Sequence, residues 1–136
     1  MSHQENICLQ GKKVIDALSP LVKWKYDEFH KVMLAEFSAD KEQQVMFALQ
    51  SVLPVSWDAK SVKKAPKQGK HYAGSFAKLV KNQKLFAENN MSHSNIMAAW
   101  WPWGHGATIS VRVFIPNTAP YQDQPSILRR LTQIFS

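Results

Sequence analysis

Apolar residues recur at helical spacing in the first half of the chain. Between residues 20 and 38 they lie three or four positions apart, at Val22, Tyr26, Phe29, Met33 and Phe37. This spacing is typical of one face of an amphipathic helix, and Ser19-Pro20 is a suitable helix start. A second apolar stripe runs through residues 40–53 and stops at Pro54. The pattern predicts a helical hairpin formed by residues 20–38 and 40–53.

Two further helices are predicted closer to the C-terminus. Ser75 can cap a helix over residues 75–88, in which the apolar positions include Phe76, Leu79, Val80 and Phe86. Residues 125–135 carry the clearest helical stripe, formed by Ile127, Leu128, Leu131, Ile134 and Phe135. Residues 60–74 lack periodicity and contain Pro66, Gly69 and Gly74, so we expect a loop there.

A strict alternation of apolar and polar residues marks one strand. Residues 108–115 alternate, with one face made of Ile109, Val111, Val113 and Ile115. Residues 96–102 are predicted to be the antiparallel partner, joined to it through the flexible Gly104-His105-Gly106. We expect the inward face of residues 108–115 to pack on the C-terminal helix, through Leu128, Leu131 and Phe135.

These elements predict an α+β fold in a single domain of residues 1–136. It would combine the N-terminal helical hairpin, a third helix, the antiparallel β-hairpin and the amphipathic C-terminal helix. A lone β-hairpin is marginal, so a further strand is expected from residues 5–10 or 54–58. Residues 1–18 otherwise fit either a short helix or a strand.

Composition limits the class of protein. Of the 136 residues 45% are hydrophobic, which is enough to build a core. Cys8 is the single cysteine, which excludes an intramolecular disulfide and is more typical of a small buried side chain than of a nucleophile. The N-terminus lacks the apolar core of a signal peptide, and no apolar run could span a membrane. We therefore expect a cytoplasmic protein without membrane insertion.

Positive charge is concentrated in one segment. The net charge is +7, and no acidic residue separates Asp58 from Glu88. Seven lysines of this basic stretch are candidate phosphate contacts: Lys60, Lys63, Lys64, Lys67, Lys70, Lys78 and Lys81. Solvated surface without a ligand is the alternative, and no known nucleic-acid recognition motif accompanies the lysines.

The run Trp100-Trp101-Pro102-Trp103 is the most unusual feature of the sequence. Neighbouring side chains of a strand point to opposite faces, so Trp100 and Trp101 must diverge. Either both faces of the sheet are covered, or one aromatic surface is available to a partner. The candidate partner-binding residues are Trp100, Trp101, Trp103 and His105. A homodimer that seals one face is the simplest such partner.

Catalytic motifs are missing from the sequence. His105 lies between glycines at the predicted hairpin tip, and His93 precedes the predicted strand, so either could carry out acid–base chemistry. No carboxylates stand at a recognisable spacing from them, so we expect neither a metal site nor a cofactor.

Three functional hypotheses remain. The favoured one is a non-catalytic interaction or regulatory protein that uses the tryptophan-rich hairpin for self-association or partner binding. The second is a nucleic-acid-binding module that uses the basic stretch from Lys60 to Lys84. The third is a small enzyme or ligand-binding domain built around His93 and His105.

Overall fold

Six antiparallel strands form one sheet in the computed structural model, which describes residues 2–89, 91 and 96–117. The strands are β1 (Trp24–Asp27), β2 (Val32–Ser38), β3 (Val55–Asp58), β4 (Lys84–Ala87), β5 (Met97–Pro102) and β6 (Thr108–Phe114). Their order across the sheet is β1-β2-β6-β5-β4-β3. The predicted C-terminal helix, with Leu128, Leu131 and Phe135, and also His93 lie outside the described residues.

Four α-helices accompany the sheet within the described residues. They are α1 (His3–Gln10), α2 (Lys12–Leu18), α3 (Glu42–Val52) and α4 (Lys67–Ala73). Short 3-10 turns cover Ala39–Lys41, Ser61–Lys64 and Gly74–Ala77. The predicted α+β class is confirmed. None of the helices in this part of the chain combines the length and apolarity needed to cross a membrane.

The predicted helix over residues 20–38 is wrong, because this segment forms the β1–β2 hairpin. Ser19 ends α2 instead of starting a helix, since its N–H donates to the Ile15 carbonyl at 2.9 Å. Strand β2 lies inside the sheet and is buried on both faces, so its apolar residues do not alternate with polar ones. Tyr26 lies in β1, Phe29 in the turn and Met33 in β2, so their helical spacing does not reflect a helix.

The predicted helix over residues 75–88 is also wrong. The segment forms a 3-10 turn, a tight turn that includes Asn82 at φ 70°, and strand β4. Leu85 and Phe86 are both fully buried, on opposite faces of the sheet. The predicted loop over residues 60–74 contains helix α4, which is a further correction.

Three other predictions of secondary structure are confirmed. Helix α3 matches residues 40–53, and β5 pairs with β6 as expected for residues 96–102 and 108–115. The additional strand comes from residues 54–58, as β3, whereas residues 5–10 belong to helix α1.

One face of the sheet packs against helices α1, α2 and α3, and we call it the helix face. The buried helical residues on this side are Ile7, Val14, Leu18, Val45 and Leu49. They meet a layer of strand residues that includes Phe37, Phe86, Ala98 and Trp100. Ile109, Val111 and Val113 point into this core as predicted, and Ile115 is half-buried beside it.

The opposite face is covered by residues 60–81, which we call the lysine-rich cover. Ala65, Tyr72 and Ala73 of this segment form a second core with Leu34, Leu85, Met97, Ala99 and Phe114 of the sheet. The sheet is therefore covered on both faces, which is the first of the two alternatives that the tryptophan run left open.

Candidate nucleic-acid interface

The lysine-rich cover is anchored where it leaves the sheet. The Asp58 carboxylate, at the end of β3, accepts hydrogen bonds from the backbone N–H groups of Lys60 and Ser61 at 3.0 and 2.7 Å. The hydrogen bonds from Ser61 hold the pKa of Asp58 below its ordinary value, assisted by the charge of Lys84. This turn directs the chain from the edge strand across the face of the sheet.

Within the cover Val62, Ala65, Tyr72 and Ala73 are buried against the sheet, and the lysines point outward. Lys60, Lys63, Lys64, Lys67, Lys78 and Lys81 are exposed, and Lys70 is half-buried. Helix α4 shows the division, because Gly69, Tyr72 and Ala73 are buried on its inner side. The predicted basic stretch is thus a basic surface on one side of the molecule.

These lysines lack acidic partners among the described residues. The ion pairs found there are Lys12–Asp16, Lys25–Glu36 and His30–Asp27, and none involves the cover. Within the described residues Lys70 donates to the carbonyl of Lys63, at 3.4 Å. Unpaired, closely spaced ammonium groups raise the local electrostatic potential and attract anions.

The tryptophans of strand β5 diverge as predicted. Trp100 is 1% exposed in the core of the helix face, where its ring lies 5.6 Å from that of Phe37. Trp101 lies on the opposite face, 5.7 Å from the Phe76 ring of the cover. The Arg112 guanidinium carbon lies 4.0 Å from the centre of the Trp101 ring, in a cation–π contact. Neither indole forms an open aromatic surface.

Arg112 was not predicted as part of any site. Burial lowers its pKa, while the charges of Asp27 and Glu36 act in the opposite direction. Its Nη1 atom and the Nε1 atom of Trp101 are buried and have no hydrogen-bond partner among the described residues. The sequence signal was an arginine at a polar position of the alternating strand β6, but its contact with Trp101 depends on the pairing of β5 with β6.

Trp103 and His105 remain open to solvent at the loop between β5 and β6, residues 103–107, which we call the hairpin end. Trp103 is 41% exposed, and its ring meets that of His105 edge-on at 5.5 Å. The Trp103 N–H donates to the Thr108 carbonyl at 2.8 Å, and the Ala107 N–H donates to His105 Nδ1 at 3.0 Å. These hydrogen bonds fix the backbone of Trp103 and the ring of His105 on an exposed loop.

The cover ends at the turn before β4, which lies at the same end of the sheet as the hairpin end. Strand β4 begins at Lys84, opposite Trp100, so the residues just before it run beside Trp101 and Pro102. A cleft of about 410 Å³ has Asn82, Lys84, Pro102 and Gly106 in its walls. Lys81 directly precedes Asn82, which lines this cleft. The turn that carries Lys81 therefore lies at the same end of the sheet as Trp103 and His105.

The remaining candidate residues are not drawn together. Cys8 is a free, half-buried thiol that packs at the margin of the core of the helix face. Within the described ranges no group of three or more histidine, cysteine or acidic side chains is placed to hold a metal ion. His105 Nδ1 already accepts a backbone hydrogen bond, and no carboxylate is seen to orient the ring among the residues that the structure describes.

Comparison of the chain with known proteins gives no match to a family model, to a curated protein sequence or to a solved structure. Its function must be argued from its own residues and their geometry.

Proposed function

We propose that this protein binds nucleic acid through the lysine-rich cover, by contacts to phosphates and not to specific bases. One observation carries the proposal. Seven lysines lie in the cover on one side of the sheet, and none of them pairs with a carboxylate in the described part of the chain. The regularly spaced phosphates of a nucleic acid suit such a surface. Each phosphate that a lysine neutralises releases a counterion condensed on the nucleic acid, and this release favours binding.

The cover is suited to this role because it is held in place from below. Its apolar residues pack on seven strand residues of the second core, and Asp58 fixes its start. The lysine backbone positions are thereby ordered before any ligand arrives, while their side chains stay free to adjust to a phosphate backbone. Such a surface positions a nucleic acid without reading its sequence.

The other two hypotheses gain less from the geometry. Self-association through the tryptophans has less aromatic area to use, since Trp100 is internal and Trp101 lies between Phe76 and Arg112. An enzyme based on His105 has no oriented partner for that ring in the described residues.

The test removes charge from the cover without changing its apolar side. We expect the wild type to bind labelled DNA and RNA of many sequences at low salt, measured by fluorescence anisotropy. A variant with four glutamines should bind at least about tenfold more weakly, and its plot of log K against log salt should be flatter by about 0.9 for each phosphate that the variant no longer neutralises. The four substitutions are Lys63→Gln, Lys64→Gln, Lys67→Gln and Lys70→Gln.

A matched control removes the same charge from the helix side of the molecule, with the substitutions Lys12→Gln, Lys13→Gln, Lys23→Gln and Lys41→Gln. This control should retain most of the affinity and the salt slope of the wild type. Equal reductions in affinity in the two variants would show that net charge and not the cover attracts the ligand. A wild type that binds neither DNA nor RNA at low salt in the anisotropy titration would refute the proposal.

A further inference from the structure

We infer that the preferred nucleic acid is single-stranded and that unpaired bases stack on Trp103 at the hairpin end. The inference rests on the proposed function, and it joins the lysine-rich cover and the tryptophan run in one site.

Among the described residues of the hairpin end, Trp103 presents the most accessible large aromatic ring. Its indole is 41% exposed, whereas Trp100 is 1% exposed and Trp101 is half-buried. Its backbone N–H and C=O are both bonded within the hairpin, to Thr108 at 2.8 Å and to Gly106 at 3.0 Å. An exposed ring on a fixed backbone loses little conformational entropy when a base stacks on it.

Phosphate-binding groups lie at the same end of the sheet. The turn before β4 is closed by two hydrogen bonds between Val80 and Gln83, each 3.0 Å long, and Lys81 lies inside this turn. Asn82 of the turn and Gly106 of the hairpin end line one cleft. Stacking rings next to ammonium groups form the usual arrangement of a single-strand site, in which bases contact the rings and the backbone follows the positive charge.

The charged residues around the hairpin end also favour one path for a bound phosphate backbone. Glu42 lines the cleft from helix α3, on the helix face of the sheet. On the side of the cover, residues 59–87 contain no acidic residue. Because Lys84 lines the same cleft and offsets the charge of Glu42, the excess of positive charge lies on the side of the cover. A phosphate backbone that passes the hairpin end is therefore attracted towards the cover.

Stacking of bases on the Trp103 indole should distinguish single strands from duplexes. In a duplex the flat faces of the bases are already stacked on one another, so an exposed indole can reach them only by wedging the helix open. In a single strand the flat faces of the bases can be reached at a small cost in free energy. Every base has such a face, so the site tolerates any sequence.

The experiment compares Trp103→Ala with Trp103→Phe and with Phe29→Ala as the matched control. Phe29 is 88% exposed and meets the His30 ring edge-on at 4.8 Å, in the β1–β2 turn at the far edge of the sheet. Anisotropy titrations use oligothymidine and a duplex of equal length. Thermal unfolding of each variant checks that the fold is retained.

We expect Trp103→Ala to weaken oligothymidine binding by about five- to 100-fold, with duplex affinity and the salt slope unchanged. Trp103→Phe should restore most of the affinity, and Phe29→Ala should have no effect. Equal weakening of both ligands would overturn the inference in favour of a wedge in duplex DNA. No effect on either ligand, or an effect only on the sedimentation mass of the free protein, would overturn it while leaving the lysine-rich cover as the binding surface. If the wild type binds neither ligand, the proposed function itself fails.

Discussion

Val111 shows at the scale of one residue how the sheet is stabilised. It is fully buried on the helix face, and its neighbours across the strands are Ala35 of β2 and Trp100 of β5. The next residue of the same strand, Arg112, points to the opposite face and contacts Trp101. One strand thus contributes an aliphatic side chain to the first core and a cation–π contact to the second.

The substitution Val111→Ala should lower the free energy of unfolding by roughly 1–3 kcal/mol, because it removes two buried methyl groups and leaves a cavity beside Trp100. Urea unfolding followed by tryptophan fluorescence measures the change. Val80→Ala is the control, since Val80 is 62% exposed and its truncation should alter stability by less than about 0.5 kcal/mol. A decrease below that value for Val111→Ala would contradict the assignment of Val111 to the centre of the core.

Helix α4 shows at the scale of an element how the cover is fitted to the sheet. A Cβ atom at Gly69 would lie 2.9 Å from the Met91 Cβ, which is closer than two such carbons approach. Glycine at this position therefore allows α4 to pack directly on Met91. Glycine is needed at position 69 because a side chain has no room there, and not because of its backbone conformation.

The substitution Gly69→Ala should destabilise the protein by about 1 kcal/mol. A helix gains up to about 1 kcal/mol from alanine in place of glycine, but forcing the cover away from Met91 costs about 1–3 kcal/mol. Chemical denaturation provides the measurement, with Gln68→Ala as the control on the exposed side of the same helix. A stabilised Gly69→Ala protein would mean that α4 does not pack against Met91 as described.

At the scale of the whole molecule, both faces of the sheet are covered by the chain itself. The homodimer expected from the tryptophan run stays a prediction, and the exposed indole that it can use is that of Trp103. The uncovered part of this ring amounts to roughly 100 Å², worth about 2 kcal/mol when buried. Stable dimers bury about 800 Å² on each partner, so we expect any dimer to be weak.

Sedimentation equilibrium should detect this weak dimer as an average mass that rises only at high micromolar concentration. Trp103→Ala should shift the population towards monomer, because it removes the exposed indole. Trp101→Ala, which the divergence of the tryptophans also suggests as a way to weaken a dimer, should act mainly on stability, since Trp101 packs against Phe76 and Arg112. A wild type that stays monomeric throughout this range would refute self-association through the hairpin.

Several features of this protein follow from its sequence alone. The α+β class, helix α3, the pairing of β5 with β6 and the divergence of Trp100 from Trp101 all depend on contacts between near neighbours, which local periodicity encodes. The acid-free lysine stretch is likewise a property of composition. The candidate residues Trp103 and Lys81 could therefore be named, although under separate hypotheses.

Only the tertiary structure decided that the segments containing β1, β2 and β4 are strands and that the turn with Lys81 lies at the same end of the sheet as Trp103. Strands β2 and β4 lie inside the sheet with both faces covered, so neither shows the alternation that identifies a strand locally. The contact of Arg112 with Trp101 depends in the same way on pairing between strands. Burial on two faces and long-range pairing are set by the partners that a segment meets, and a segment's own sequence pattern does not contain them.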